Sequence, residues 1–164
     1  MNKKNLLITF ITSLIFINSC SGYDPIFSSS NLQFRIVEYS TKGDNKLSKQ
    51  IYFKLYNLSK NNENNVDAKD FDIIIKTKKI KKSTIKSNTG KILEYEINLI
   101  TNITIIDSLN KNNLMQFNDN IYSSYRVQDQ YSDTLALENK TVENLLSRSY
   151  QSFLIQLSDN LLKK

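Results

Sequence analysis

Between Lys91 and Ile106 the chain alternates with period two: Leu93, Tyr95, Ile97, Leu99, Thr101, Ile103 and Ile105 share one parity, and Glu94, Glu96, Asn98, Asn102 and Thr104 the other. That spacing predicts a half-buried strand with one dry and one wet face. At ~3.3 Å per residue such a strand reaches on the order of 50 Å, well beyond the usual ~17–20 Å, so it requires long neighbours. The pattern supplies them on both sides. Over 70–86, Phe71, Ile73, Ile75 and Thr77 share a face before Lys78-Lys79 shifts the parity and puts Ile80 on the other, a slip that predicts a bulge or an edge position. Ser87-Asn88-Thr89-Gly90 is a compact turn that makes these two strands a β-hairpin. After a turn region at 107–113, Met115, Phe117, Ile121, Ser123, Tyr125 and Val127 alternate with Gln116, Asn118, Asn120, Tyr122, Ser124 and Arg126, which completes a three-strand meander.

Upstream, Leu32, Phe34 and Ile36 alternate with Gln33 and Arg35 in a first strand ending near Tyr39, followed by a turn over 41–45 in which Asp44 or Asn45 caps a helix. Leu47, Ile51, Leu55 and Leu58 give that helix one apolar stripe, and a polar loop follows at 61–65. From Ser132 or Asp133, either able to cap, a second helix runs to the C-terminus with Val142, Leu146, Tyr150, Phe153, Leu157 and Leu161 as its stripe. Lys163 and Lys164 suit the negative end of its dipole. The order β-α-β-β-β-α predicts an α+β fold: a four-stranded, mostly antiparallel sheet with two helices on one face, a two-layer sandwich whose other face stays polar.

The first 19 residues carry Lys3, Lys4 and an apolar run from Leu6 to Ile17, too short for a ~20-residue membrane span but sized for a signal-peptide core. The run closes on Ile17-Asn18-Ser19-Cys20, an aliphatic residue and a small residue ahead of the chain's single cysteine. This resembles the bacterial lipoprotein processing box, with Asn18 departing from it. An ordinary signal peptide with an incidental thiol is the alternative, but a lone cysteine here has no disulfide partner. The expected organisation is a lipoprotein signal peptide at 1–19, a lipidated N-terminus and tether at 20–31 holding the only proline and a Ser-Ser-Ser run, and one domain at 32–164.

Composition narrows the chemistry. With no histidine in the chain and Cys20 its one cysteine, Ser-His and Cys-His nucleophilic catalysis and His-ligated zinc are excluded. Three glycines provide no phosphate cradle. No metal, cofactor or nucleic-acid partner is expected, and the acids form no motif-borne pair for a carboxylate hydrolase. The leader holds two of the 22 lysines and arginines, so 20 remain against 16 acids, a net +4. Part of that basicity belongs to a chain-wide bias toward Asn, Lys and Ile.

Three short motifs carry a family resemblance. Cys20-Ser21-Gly22-Tyr23-Asp24-Pro25-Ile26-Phe27 looks like the Cys-Gly-aromatic-x-Pro-aliphatic-aromatic opening of the alphaproteobacterial branch of LptE, the lipopolysaccharide-assembly lipoproteins, with Ser21 inserted. Ser87-Asn88-Thr89-Gly90-Lys91 followed by Glu94-Tyr95 is similar to that family's Asn-Gly turn and glutamate-aromatic pair, and Leu135-Ala136-Leu137-Glu138-Asn139 to the segment opening its last helix.

The resemblance implies a non-enzymatic outer-membrane lipoprotein, anchored on the periplasmic side. It would plug the lumen of the LptD barrel, help that barrel assemble, and assist lipopolysaccharide insertion into the outer leaflet. A barrel lumen is polar, so Glu94, Glu96, Asn98, Tyr122 and Arg126 become candidates for barrel contact, although a merely solvated sheet face has the same polarity. In the family, basic residues near the hairpin tip and the start of the last helix bind lipopolysaccharide, whose phosphates pair with Lys or Arg. Lys86 matches the first position, with Lys82 and Lys91 in support. At the second, Glu138-Asn139-Lys140 stands where a basic residue is expected, so Lys140 is displaced by one. Each lysine is equally read as a solvated charge. The alternative function is a free-standing, periplasm-facing lipoprotein that binds a ligand or stabilises the envelope.

Overall fold

The computed structural model describes residues 32–60 and 65–162. The leader, Cys20, the tether, most of the polar loop, and Lys163 and Lys164 lie outside the described residues. The elements run β1 (Phe34–Gly43), α1 (Asn45–Ser59), β2 (Lys69–Lys86), β3 (Ile92–Asp107), β4 (Asn113–Arg126) and α2 (Tyr131–Leu162). The four strands form one sheet in the order β1-β2-β3-β4, with β1 parallel to β2 and the other pairs antiparallel. Both helices cover one face. This is the two-layer α+β sandwich that the alternation calls for.

The period-two stripe becomes the core. Phe71, Ile73 and Ile75 of β2, Ile97, Leu99, Ile103 and Ile105 of β3, and Met115, Phe117 and Tyr125 of β4 are buried against Leu47, Ile51 and Leu55 of α1 and Val142, Leu145, Leu146, Phe153, Leu154 and Leu157 of α2. Phe117 meets Phe153 edge-on at 5.5 Å between centroids, and Phe34 stacks on Phe71 at 5.8 Å. Leu93 keeps the dry parity but is exposed. The hairpin outruns the helix layer there.

β1 departs from the sequence reading in two ways. It continues through 41–43, where a turn is expected, and its pairing with β2 slips between Ile36 and Glu38. The inserted residue, Val37, exchanges the faces, so Tyr39 rather than Glu38 comes to the helix side, where its ring stacks on Tyr52 of α1 at 3.7 Å. Without the slip, Glu38 would point into the core.

The corner from β1 into α1 is tightly tied. Gly43 has φ +75°, and the Asp44 N–H donates to the Thr77 carbonyl at 2.8 Å. Asp44 caps α1, its Oδ1 accepting from the Leu47 N–H at 3.2 Å. Ser48 and Thr77, both fully buried, bond each other at 2.9 Å, and Ser48 also donates to the Lys42 carbonyl. α2 starts at Tyr131, one residue before Ser132 and two before Asp133, the expected caps, and Asp133 sits favourably in its first turn.

The expected bulge at Lys78-Lys79 is absent, because β2 pairs with β3 in unbroken register from Phe71 to Ser83. The edge position is present. β1 ends opposite Thr77, so among the described residues β2 runs on from Lys78 with no strand on that side. Lysines at 78, 79, 81, 82 and 86 line this free stretch, and charge on an exposed edge discourages strand addition. Irregular pairing occurs instead at Ser83–Lys86, beside the turn.

Candidate functional site

The half of the sheet beyond Thr77 is a β2-β3-β4 ribbon ending at the Ser87–Gly90 turn, where Gly90 has φ +84° and its N–H donates to the Ser87 carbonyl at 2.9 Å. A positive φ with no side chain to accommodate suits glycine at this tip.

All five barrel-contact candidates fall on the uncovered face of this ribbon. Glu94 lies directly opposite Arg126, Glu96 opposite Ser124 and Asn98 opposite Tyr122. Tyr122 is 66% exposed. Glu94 accepts a 2.9 Å hydrogen bond from Thr84, and farther along the face Asn102 donates to Asn118. Asn98 Oδ1 is buried with no hydrogen-bond partner among the described residues. A buried acceptor without a donor is a group that a bridging water or a partner's N–H would satisfy.

The lysine candidates separate. Lys82 lies opposite Glu96 on the same uncovered face, and Lys86 ends β2 opposite Ile92, exposed to solvent. Lys91 lines a cavity of about 330 Å³ at the ribbon's covered side, with Lys81, Tyr95, Tyr131, Leu135 and Glu138. Lys140 is exposed on α2 and does not line this cavity. At the start of the last helix it is Glu138 that reaches the ribbon.

Glu138 gathers a cluster that the sequence reading misses. Its carboxylate accepts from Lys81 Nζ at 2.6 Å, Lys79 Nζ at 3.5 Å and the Tyr125 hydroxyl at 3.0 Å. Lys81 Nζ also sits 4.1 Å from the Tyr95 ring centroid, and Tyr95 stacks on Tyr125 at 5.8 Å, a cation–π arrangement that keeps the ammonium in place. Burial alone would raise the Glu138 pKa, but the hydrogen bonds from Lys81 and Tyr125 and the lysine charges bring it below the ordinary carboxylate value. Burial alone would lower the Lys81 pKa, but the hydrogen bonds with Glu138 and Tyr125 and the charges of those groups together raise it above the ordinary lysine value. The signal was legible in principle: with unbroken register, Lys79 and Lys81 continue the buried parity of Phe71 to Thr77, and charges on a covered face need a counter-charge.

A group whose folded pKa is depressed stabilises above its unfolded value and loses that contribution as pH falls through its folded one. Glu138→Gln is therefore expected to cost about 1–2 kcal/mol at pH 7 and to reduce the stability lost on acidification to pH 3, both read from urea unfolding. Asp72, held below the ordinary carboxylate range chiefly by its 2.6 Å bond from Lys111, retains its own acid sensitivity.

No group of three or more Asp, Glu, Cys or His side chains among the described residues is placed to hold a metal, and no helix among them is long and apolar enough to cross a membrane. No protein-family model matches the chain, and no curated protein matches its sequence. Its fold recurs among solved structures. A candidate lipoprotein from Caulobacter crescentus CB15 superposes with a TM-score of 0.57 at 14% identity, covering 83% of this chain and 96% of that one. The chain has that protein's fold. The rare lipoprotein B of Shewanella oneidensis aligns with a TM-score of 0.44 at 17% identity (77% and 91% covered), and a minor lipoprotein of Acinetobacter baumannii with 0.46 at 16% (75% and 91%). At these identities the likeness is one of fold, and function has to be argued from the site.

Proposed function

We propose that the protein is a non-enzymatic lipoprotein, held through Cys20 on the periplasmic side of the outer membrane. There it acts as an LptE-like plug of an LptD-type barrel, assisting barrel assembly and lipopolysaccharide insertion. The observation that carries this reading is the two-sided sheet: both helices lie on one face, and the other presents Glu94, Glu96, Asn98, Tyr122 and Arg126 together with an unsatisfied acceptor. A polar face of this length suits the polar lumen of a large barrel. The processing box at Cys20 and the fold shared with the Caulobacter lipoprotein support the same assignment.

Lys86 is assigned the lipopolysaccharide phosphates, because it stands solvated at the base of the tip turn and has no salt-bridge partner among the described residues. By contrast, Lys79 and Lys81 are committed to Glu138. Lys86→Glu is expected to weaken lipopolysaccharide binding by roughly tenfold or more, from loss of one charge-assisted contact and gain of a repulsive one, with the unfolding midpoint unchanged. Binding of the full chain to immobilised lipopolysaccharide measures it. An unaltered curve removes Lys86 from the site; no binding by the wild type favours the free-standing lipoprotein.

A further inference from the structure

The outward face of α1 is a second surface that the plug reading does not use. Lys46, Lys49, Phe53, Tyr56 and Lys60 recur at spacings of 3, 4, 3 and 4, so they form one stripe opposite the buried Leu47, Ile51 and Leu55. All five are exposed, Phe53 by 56%. Beside the stripe, Tyr52 stacks against both Tyr39 and Tyr56, and Tyr39 and Val37 of β1 are themselves about half exposed, at 48% and 55%. The helix and its C-cap, residues 45–60, contain no acidic residue. Among the described residues, Asp44 is held as the cap of the helix, Glu38 lies in register with Asp72 on the opposite face of the sheet, and Glu143 of α2 stands across the groove from Phe53; Glu63 lies outside them.

We propose that this stripe docks the domain on a bilayer surface carrying anionic headgroups, with the three lysines at the phosphate level and Phe53 and the tyrosines at the interface. Amphipathic aromatic rings favour that depth, and each lysine near an anionic leaflet contributes about a fivefold preference. A second copy is the poorer occupant, since an isologous contact through this stripe sets lysine against lysine. The proposal rests on the Cys20 anchor in one respect. The 11 residues between Cys20 and Leu32 span at most about 40 Å, which keeps α1 within reach of the leaflet. Docked this way, the domain is in the form not yet seated in a barrel, and the uncovered face of the sheet is left free to enter one.

The chain has no tryptophan, so Phe53→Trp in the full-length protein supplies a single indole reporter. The purified protein is reconstituted with vesicles of phosphatidylcholine alone or with phosphatidylglycerol added. Flotation reports attachment, and indole emission with quenching by brominated lipid reports docking. The expected result is flotation with both vesicles, and a blue shift with quenching only on the anionic ones, reversed by salt. Lys46→Gln, Lys49→Gln and Lys60→Gln should each lower the docked-to-undocked ratio about fivefold.

Flotation with both vesicles but unchanged emission overturns the docking proposal and leaves the anchor standing. Flotation and a blue shift on anionic vesicles alone support docking and overturn the anchor. A shift that depends on protein concentration without vesicles identifies a second copy as the occupant and overturns the proposal. An equal shift on neutral vesicles also overturns it, because charge then plays no part.

Discussion

Replacing Gly43 with valine is expected to destabilise the domain by about 3–5 kcal/mol, a large share of the ~5–15 kcal/mol typical of a single domain. Two effects combine. At φ +75° any L side chain is strained, at roughly 1–2 kcal/mol. A Cβ there would also fall onto the Thr77 carbonyl oxygen, a backbone atom that cannot rotate away. Relief requires β1 to separate from β2 where the Asp44 N–H meets that carbonyl and where the Thr77 hydroxyl bonds the Asp44 carbonyl and the Ser48 hydroxyl. Each buried group left without its partner adds about 1–3 kcal/mol. Urea unfolding should show the midpoint fall by roughly 2 M. A loss under about 1 kcal/mol would mean that the corner yields more easily than its hydrogen bonds indicate. Gly90, whose added Cβ would meet open space, should tolerate alanine far better despite its positive φ.

Cys20→Ser is expected to abolish fatty-acid incorporation completely. The thiol is the only one in the chain, so no other side chain can carry the thioether-linked diacylglycerol. At ~0.8 kcal/mol per buried CH₂, one acyl chain holds a protein only reversibly, whereas two or more hold it essentially permanently. Cells fed a clickable fatty acid should therefore label the wild type and leave Cys20→Ser dark, with the leader of the variant still attached. Equal labelling of both proteins, or none of the wild type, refutes the anchor.

Where burial follows a period, the fold is legible from the residues. Ile97, Leu99, Ile103 and Ile105 point inward because a strand alternates, and Val142, Leu146, Phe153 and Leu157 do so because a helix turns every 3.6 residues. The failures share a cause: they depend on what lies across the sheet. A single inserted residue, Val37, reverses parity, and its only trace in the sequence is Glu38 where the next inward residue is due. The polar segment 41–43 reads as a turn, yet it is strand because β2 continues beside it. Lys78-Lys79 reads as a slip because the counter-charge that lets Lys79 and Lys81 stay on the inward parity, Glu138, is 57 residues beyond Lys81. Among the site candidates, Glu94, Glu96, Asn98, Tyr122 and Arg126 share a face as expected, since alternation alone determines it. The lysines do not form one group, because the positions of Lys91 and Lys140 depend on how α2 approaches the ribbon.

The proposed role turns on whether the uncovered face of the ribbon has a barrel around it. Extraction of the native membrane in mild detergent, purification through a C-terminal tag and mass spectrometry of the eluate test this most directly. An LptD-type barrel eluting in equal molar amount, and lost when Asn98 and Tyr122 are both replaced by lysine, is the expected result. A monomeric lipoprotein with no barrel in the eluate would contradict it.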